Sequence, residues 1–362
     1  MVVNGGKKER IRIAVRNVTD YVPALRPLAN KTVKPLYLDS FPKYEKRIEQ
    51  MYGDNKKLME DVKYWSAWHG FTPVEYNCFE FERMPVRERK QWISYEYKDR
   101  MCLKLGNFSE KYINLFMKKY ETYKFYRPYY RREVICVSEE KDGQVFDSFF
   151  RKHPHFIIKP AAGSHGHGIR TVNEAYTEHR SRELFCSILS EGEAICEEFL
   201  VEADALQKLN PGTLNTIRVT TFHIKSEITV FLPIIRIGRK GMVVDNASSG
   251  GIFCAIDPQT GVLISDGFTY QHETFASHPD TGISFRGFQI PRWDELLALL
   301  PELLAKIPEI QYIGWDFALT DEGWTIVEAN IGSNLGSGQI AHGGKKLAEL
   351  NAMVKQCTYG LK

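Results

Sequence analysis

From His155 onward the chain is a succession of short apolar runs rich in β-branched residues. They are HFIIKP (155–160), EAICEEFL (193–200), LNTIRVTTFHI (214–224), EITVFLPIIRIG (227–238), GGIFCAID (250–257) and TIVEANI (325–331). Each is bounded by Gly, Pro, Asp or Asn and has the length of a strand rather than a helix. DPQTG (257–261) reads as a hairpin turn between GIFCAI and VLIS, and TDEG (320–323) as a second turn. Helical patterns lie between the runs, notably NEAYTEHRSRELFCSILSEG and PRWDELLALLPELLAKI, with HGGKKLAELNAMVKQ as a final helix. Antiparallel hairpins interleaved with helices predict an α+β fold rather than a doubly wound sheet.

The first 105 residues read differently. YEKRIEQMYGDNKKLMEDVKYWSAWHG carries Ile48, Met51, Leu58, Met59, Val62 and Trp65 at helical spacing, and VRERKQWISYEYKDRMCLKL after Pro85 predicts another helix. NFSEKYINLFMKKYETYKFY is read as one further helix capped by Ser109, leading into a strand at EVICV. With 362 residues there is core enough for two or three domains. We divide the chain into a mostly helical region 1–105 and an α+β domain 106–362. The second comprises 106–200 (with a glycine loop at 159–169), 201–345 and a terminal helix 346–362.

Composition excludes several classes. No apolar run approaches the ~20 residues of a membrane span, and the basic start lacks the apolar core of a signal peptide, so the cytoplasm is expected. Seven scattered cysteines without a C-x-x-C pair argue against a disulfide framework and against a structural zinc site. The net charge of +3 is uneven: residues 1–150 hold 29 Lys and Arg against 21 Asp and Glu. That imbalance fits either a solvated surface or a face toward something anionic, such as a sugar nucleotide, an acidic glycan or a membrane.

Three stretches carry chemistry. In FIIKPAAGSHGHGIRTV (156–172) a strand ends at Lys159 and runs into Gly163, Gly166 and Gly168, with Ser164, His165 and His167 between them. Glycines let backbone N–H groups cradle phosphate, but a phosphate loop of the P-loop type has its lysine after the glycines, not before. AICEEFL (194–200) ends in acidic residues, a strand edge able to read a base, with Glu202 and Asp204 just beyond to accept from ribose hydroxyls. In IGWDFALTDEGWTIVEANIGSNLG (313–336), Asp316 lies on one strand of a hairpin; Glu328 and Asn330, two apart on the other, share one face. Two carboxylates and an amide oxygen make a hard, oxygen-only set suited to Mg²⁺ shared with phosphates.

The order K-P-x-x-G-x-x-G-x-G, E-E-F-L, N-T-I-R and D…E-A-N resembles the ATP-grasp superfamily. LNPGTLNTIRVTTF, NASSGGIFCAIDPQTG and GWDFALTDEGWTIVEANIGSN resemble more narrowly its sugar-transfer-associated members, over roughly residues 106–345. The resemblance implies two α+β subdomains closing on ATP. Lys159 would contact the phosphates, with the loop Gly163, Ser164, Gly166, Gly168 folded over them. A second lysine is expected upstream, at Lys111, with Lys118, Lys119 or Lys124 as alternatives. Glu197, Glu198 and Leu200 would meet the adenine, and Asp204 or Glu202 the ribose. Asp316, Glu328 and Asn330 would hold Mg²⁺, or Mn²⁺ in its place.

Many ligases of this kind have an arginine two residues before the first metal-binding aspartate. Gly314 stands there, so Arg218 or Arg236 is expected to supply that charge, with Asn215 and Asn334 at the acceptor pocket. The implied reaction is ADP-forming carboxylate–amine ligation through an acyl phosphate, on a small molecule or glycan precursor, with polysaccharide-synthesis enzymes as possible partners. A kinase acting on a sugar or polyol hydroxyl, or a non-catalytic nucleotide-binding scaffold, would share the ATP site. Nucleic acid is not expected: KKYETYKFYRPYYRR (118–132) reads as a helix packing its rings inward.

Overall fold

A computed structural model describes residues 15–31, 46, 49–50, 52–53, 55–161, 168–224, 227–242, 247 and 250–359. The chain divides into two compact units, residues 1–101 with 334–354, and residues 102–333 with 355–362.

The first unit is helical. Its longest helix, Lys56–His69, starts where the Asn55 side chain accepts from Leu58 N and ends at Gly70 in the left-handed region. Helix Pro73–Cys78 opens with a reciprocal Thr72–Glu75 capping box. Val62, Tyr64, Trp65, Phe71, Tyr76, Phe81 and Trp92 form its core. The helix expected after Pro85 is two pieces, Val86–Arg89 and Tyr95–Lys104. The C-terminal residues are tied into this unit: Gln339 accepts from Ile93 N and donates to Ile93 O, and Leu347 N donates to Gln91 O.

The second unit holds two antiparallel sheets. The smaller has the order β1-β4-β2-β3, formed by β1 Val134–Val137, β2 His155–Pro160, β3 Arg170–Asn173 and β4 Ala194–Glu198. Helices Gly143–Lys152 and Glu178–Glu191 put Phe146, Phe149, Phe150, Leu184 and Ile188 into one cluster with its apolar residues. The larger sheet has the order β11-β10-β5-β6-β7-β8-β9. Its strands are β5 Thr216–Ile224, β6 Glu227–Ile237, β7 Ile252–Ala255, β8 Gly267–Phe268, β9 Thr274–Phe275, β10 Tyr312–Thr320 and β11 Gly323–Asn330. Ile217, Val219, Ile235, Ile313, Trp315, Phe317, Ile326 and Ala329 join Leu296, Leu300 and Leu303 of helix Trp293–Ala305 in the main core.

Strand alternation then sends the intervening residues Arg218, Asp316 and Glu328 to the other face. One irregularity matters. Asp316 opposes Glu328 while Phe317 opposes Ile326, so β11 carries one extra residue, Val327. The bulge lets both Ile326 and Ala329 face the core with Glu328 turned away from it.

The aromatic basic stretch forms two helices, Glu110–Met117 and Lys119–Tyr126, broken at the extended Lys118. Tyr123, Tyr126 and Tyr130 are buried in the main core, with Tyr126 edge-on to Trp315 at 5.5 Å between ring centroids. Their rings are spent on packing. Among the described residues no helix is long and apolar enough to cross a membrane.

Candidate active site

On the larger sheet the polar face is set by register. Glu328 of β11, Asp316 of β10 and Arg218 of β5 lie directly across from one another in adjacent strands. Arg236 of β6 enters the same face opposite Thr216, to whose hydroxyl it donates at 2.9 and 2.8 Å. Asp316 is almost wholly buried, and both its oxygens are engaged. Arg218 Nε donates to Oδ1, Arg218 Nη2 to Oδ2 at 2.8 Å, and Arg236 Nη2 lies 3.1 Å from Oδ2. Burial opposes the charge on Asp316, but Arg218 and Arg236 hold its carboxyl below the usual range.

The carboxylate of Glu328, half-buried, makes no hydrogen bond or ion pair with any described residue. Asn330 is level with Gly314, and its Nδ2 is buried without a partner. That atom needs an acceptor or, with the amide turned end for end, the oxygen needs a donor or a cation. Glu328 and Asn330 therefore fit a cation shared with phosphate, whereas both oxygens of Asp316 already accept from arginines. Among the described residues no three His, Cys, Asp or Glu side chains form a metal cage.

The smaller sheet contributes cations. Lys159, near the end of β2, lies 2.9 Å from Glu197 Oε1 on β4. Arg132 Nε donates to Glu197 Oε2 at 2.8 Å, and its Nη1 donates to Ile326 O at 2.7 Å. Glu197 is buried, which raises a carboxyl, yet Arg132 and then Lys159 bring it down to about 2. Lys119 donates to Pro160 O at 3.1 Å. Burial pushes the Lys119 ammonium down, Glu328 and Glu197 oppose this, and Lys159 adds to it, so the four charges share one locality. Gly168, which closes the glycine loop, has φ +76°, and a Cβ there would lie 2.8 Å from Pro160 Cγ. Gly163, Ser164, Gly166, His165 and His167 lie outside the described residues.

Two expected site residues lie away from this charged locality. Lys111 is exposed and paired with Glu309 at 3.2 Å, because its helix turns Tyr112 and Phe116 inward and leaves Lys111 outside. The break at Lys118 restarts the helix so that Lys119, one of the alternatives, enters the charged locality instead. Asn215 is wholly buried and off the polar face: its backbone and side chain donate to Glu202 at 3.0 and 2.6 Å, closing the loop before β5. Glu202 is thereby occupied, whereas Asp204 is exposed at the first position of helix Asp204–Gln207. Glu198 accepts from Glu133 N at 3.0 Å, and Leu200 is half-buried beyond β4. Asn334 belongs to the first unit, where its Oδ1 accepts from Gly336 N at 2.8 Å.

The sequence reading missed Arg132. Its signal was faint: a second arginine next to Arg131, just before the first strand of the small sheet.

A family model described as sugar-transfer associated ATP-grasp matches residues 131–355, well over half of the chain. The chain belongs to this family. Its fold is the ATP-grasp fold, preceded by a helical N-terminal region. Among solved structures, D-alanyl-alanine synthetase A from Vibrio cholerae is similar at 14% identity and TM-score 0.43, over 69% of this chain and 66% of that one. N5-carboxyaminoimidazole synthetase from Staphylococcus aureus, complexed with ADP, gives 14% and 0.43, over 67% and 52%. The D-cycloserine synthetase DcsG gives 11% and 0.42, over 73% and 81%. These likenesses are too distant to carry residue roles across. No curated protein matches in sequence.

Proposed function

We propose that this ATP-grasp chain is an ATP-dependent carboxylate–amine ligase that releases ADP and phosphate, acting on a sugar or polysaccharide precursor or joining an amino acid to one. The observation that carries it is the juxtaposition of Asn330 and Glu328, whose carboxylate has no ion pair among the described residues, with four cationic side chains: Lys119, Lys159, Arg218 and Arg236.

In this reading Lys159 and Lys119 bind the phosphates, with the glycine loop Gly163, Ser164, Gly166 and Gly168 over them. The end of β4, Glu197 to Leu200, faces the adenine, and Asp204 accepts from the ribose. Mg²⁺ or Mn²⁺ would be held by Glu328 and Asn330, and when bound neutralises charge on the transferring phosphoryl group. Arg218 and Arg236, steadied by Asp316, orient the substrate carboxylate as its oxygen attacks the γ-phosphorus. They then stabilise the oxyanion formed when the amine adds to the acyl phosphate and phosphate departs. No protein nucleophile is required.

Pools of carboxylates (amino acids, uronic acids and their nucleotide forms) with Mg-ATP and hydroxylamine test this. A substrate-dependent hydroxamate with ADP is the expected result. A stable phosphorylated alcohol without hydroxamate would overturn it in favour of a kinase.

A further inference from the structure

We propose that Asp316 anchors two arginines and is not a metal ligand, leaving Glu328 and Asn330 as the cation-facing pair. The inference rests on the nucleotide-site reading above.

Three observations carry it. First, the Arg218–Asp316 contact is two-pronged and cross-strand, and Arg236 approaches the same carboxylate from β6. A cation approaching Asp316 would meet two guanidinium groups already on its oxygens, and displacing Arg218 would leave that mostly buried guanidinium without its counter-charge, which a protein interior opposes strongly. Second, the space around the pair is built for the arginine. Arg218 Nη1 donates to Ser333 Oγ at 3.0 Å, and a Cβ on Gly314 would lie 2.1 Å from that Oγ and 3.6 Å from Arg218 Cδ. Glycine at 314 leaves room for Ser333, the hydroxyl that accepts from Arg218. Third, the carboxylate of the cross-strand partner, Glu328, has no such engagement with any described residue, and Asn330 keeps an unpartnered buried amide atom. The same row thus contains one carboxylate paired with two arginines and one with no ion pair among the described residues.

Asp316 then acts as a positioning residue. It fixes two guanidinium groups on the face that carries Glu328, where a guanidinium does part of the charge neutralisation that a metal ligated at Asp316 would otherwise do.

The test is Mn²⁺ titration in the presence of ADP, with free ion followed by electron paramagnetic resonance and melting curves as the control for folding. Glu328→Gln and Asn330→Ala are expected to weaken Mn²⁺ binding about tenfold or more. Asp316→Asn is expected to keep Mn²⁺ affinity close to wild type while kcat for ADP release falls about a hundredfold and KM for ATP holds. If that variant does not fold, Asp316→Asn combined with Arg218→Gln replaces the charged pair by an amide pair, and the same Mn²⁺ affinity is expected. Loss of Mn²⁺ binding in the Asp316 variants equal to that in Glu328→Gln overturns this inference alone. Absence of Mn²⁺ binding by the wild-type protein with ADP overturns it together with the nucleotide-site reading.

Discussion

Glu197 bears two cations on one buried carboxylate, and its chemistry decides what happens when either is removed. Glu197→Gln leaves Arg132 and Lys159 without their counter-charge, and loss of one partner from a buried pair costs about 3–5 kcal/mol. A drop in melting temperature with weakened ATP binding is expected by calorimetry. Because the folded carboxyl sits near 2, below its unfolded value, the stability from Glu197 is present above about pH 4.5 and lost as pH falls toward 2.

Glu75 behaves in the opposite way. Burial outweighs the hydrogen bonds from Thr72 N and Tyr95 N and lifts it to about 7. Its stabilising contribution is full below about pH 4.5 and disappears as pH rises through 7. Glu75→Gln keeps a carbonyl acceptor for both N–H groups, so it should raise the melting temperature at pH 8 and change it little at pH 4. No gain at pH 8 would count against a protonated Glu75.

At the scale of elements, the hairpin at 257–261 was legible because a left-handed turn needs few residue types. Gly261 N donates to Asp257 O at 2.9 Å, and Gly261 has φ +74°. Its hydrogen atom faces Trp293, where a Cβ would lie 2.3 Å from Cγ. Gly261→Ala therefore combines strained backbone with a clash against a core ring, and should cost more than about 1 kcal/mol in denaturant unfolding. A change near zero would mean the helix Trp293–Ala305 shifts freely. The shared face of Glu328 and Asn330 was equally legible, because side chains two apart along a strand always agree. The bulge at Val327 was not, since sequence does not reveal which cross-strand partner is skipped. Nor was the break at Lys118: the sequence KKYE continues an apolar helical pattern, and only the packing of Tyr123 and Tyr126 resets its phase. That reset leaves Lys111 outside and brings Lys119 beside Glu328, Lys159 and Glu197.

At the scale of the whole molecule, the runs of β-branched residues foretold the sheets, whereas the grouping of distant segments escaped detection. Residues 334–354 fold with 1–101 through the Gln339 side chain on the Ile93 backbone and Leu347 N on Gln91 O, contacts that no local pattern announces. A fragment ending at residue 101 loses those partners and should show a weak, poorly cooperative thermal transition by circular dichroism; a sharp one would contradict this division. The charged pairs Arg218–Asp316 and Arg132–Glu197 were likewise hidden, because each joins residues far apart in sequence. The central claim is that a substrate carboxylate receives the γ-phosphoryl group. With the acceptor found by hydroxamate trapping, the direct measurement is turnover of its ¹⁸O-labelled carboxylate with Mg-ATP and amine. Transfer of one ¹⁸O atom from each carboxylate into the released inorganic phosphate is the expected result. Phosphate free of ¹⁸O, with ADP formed at the usual rate, would contradict it.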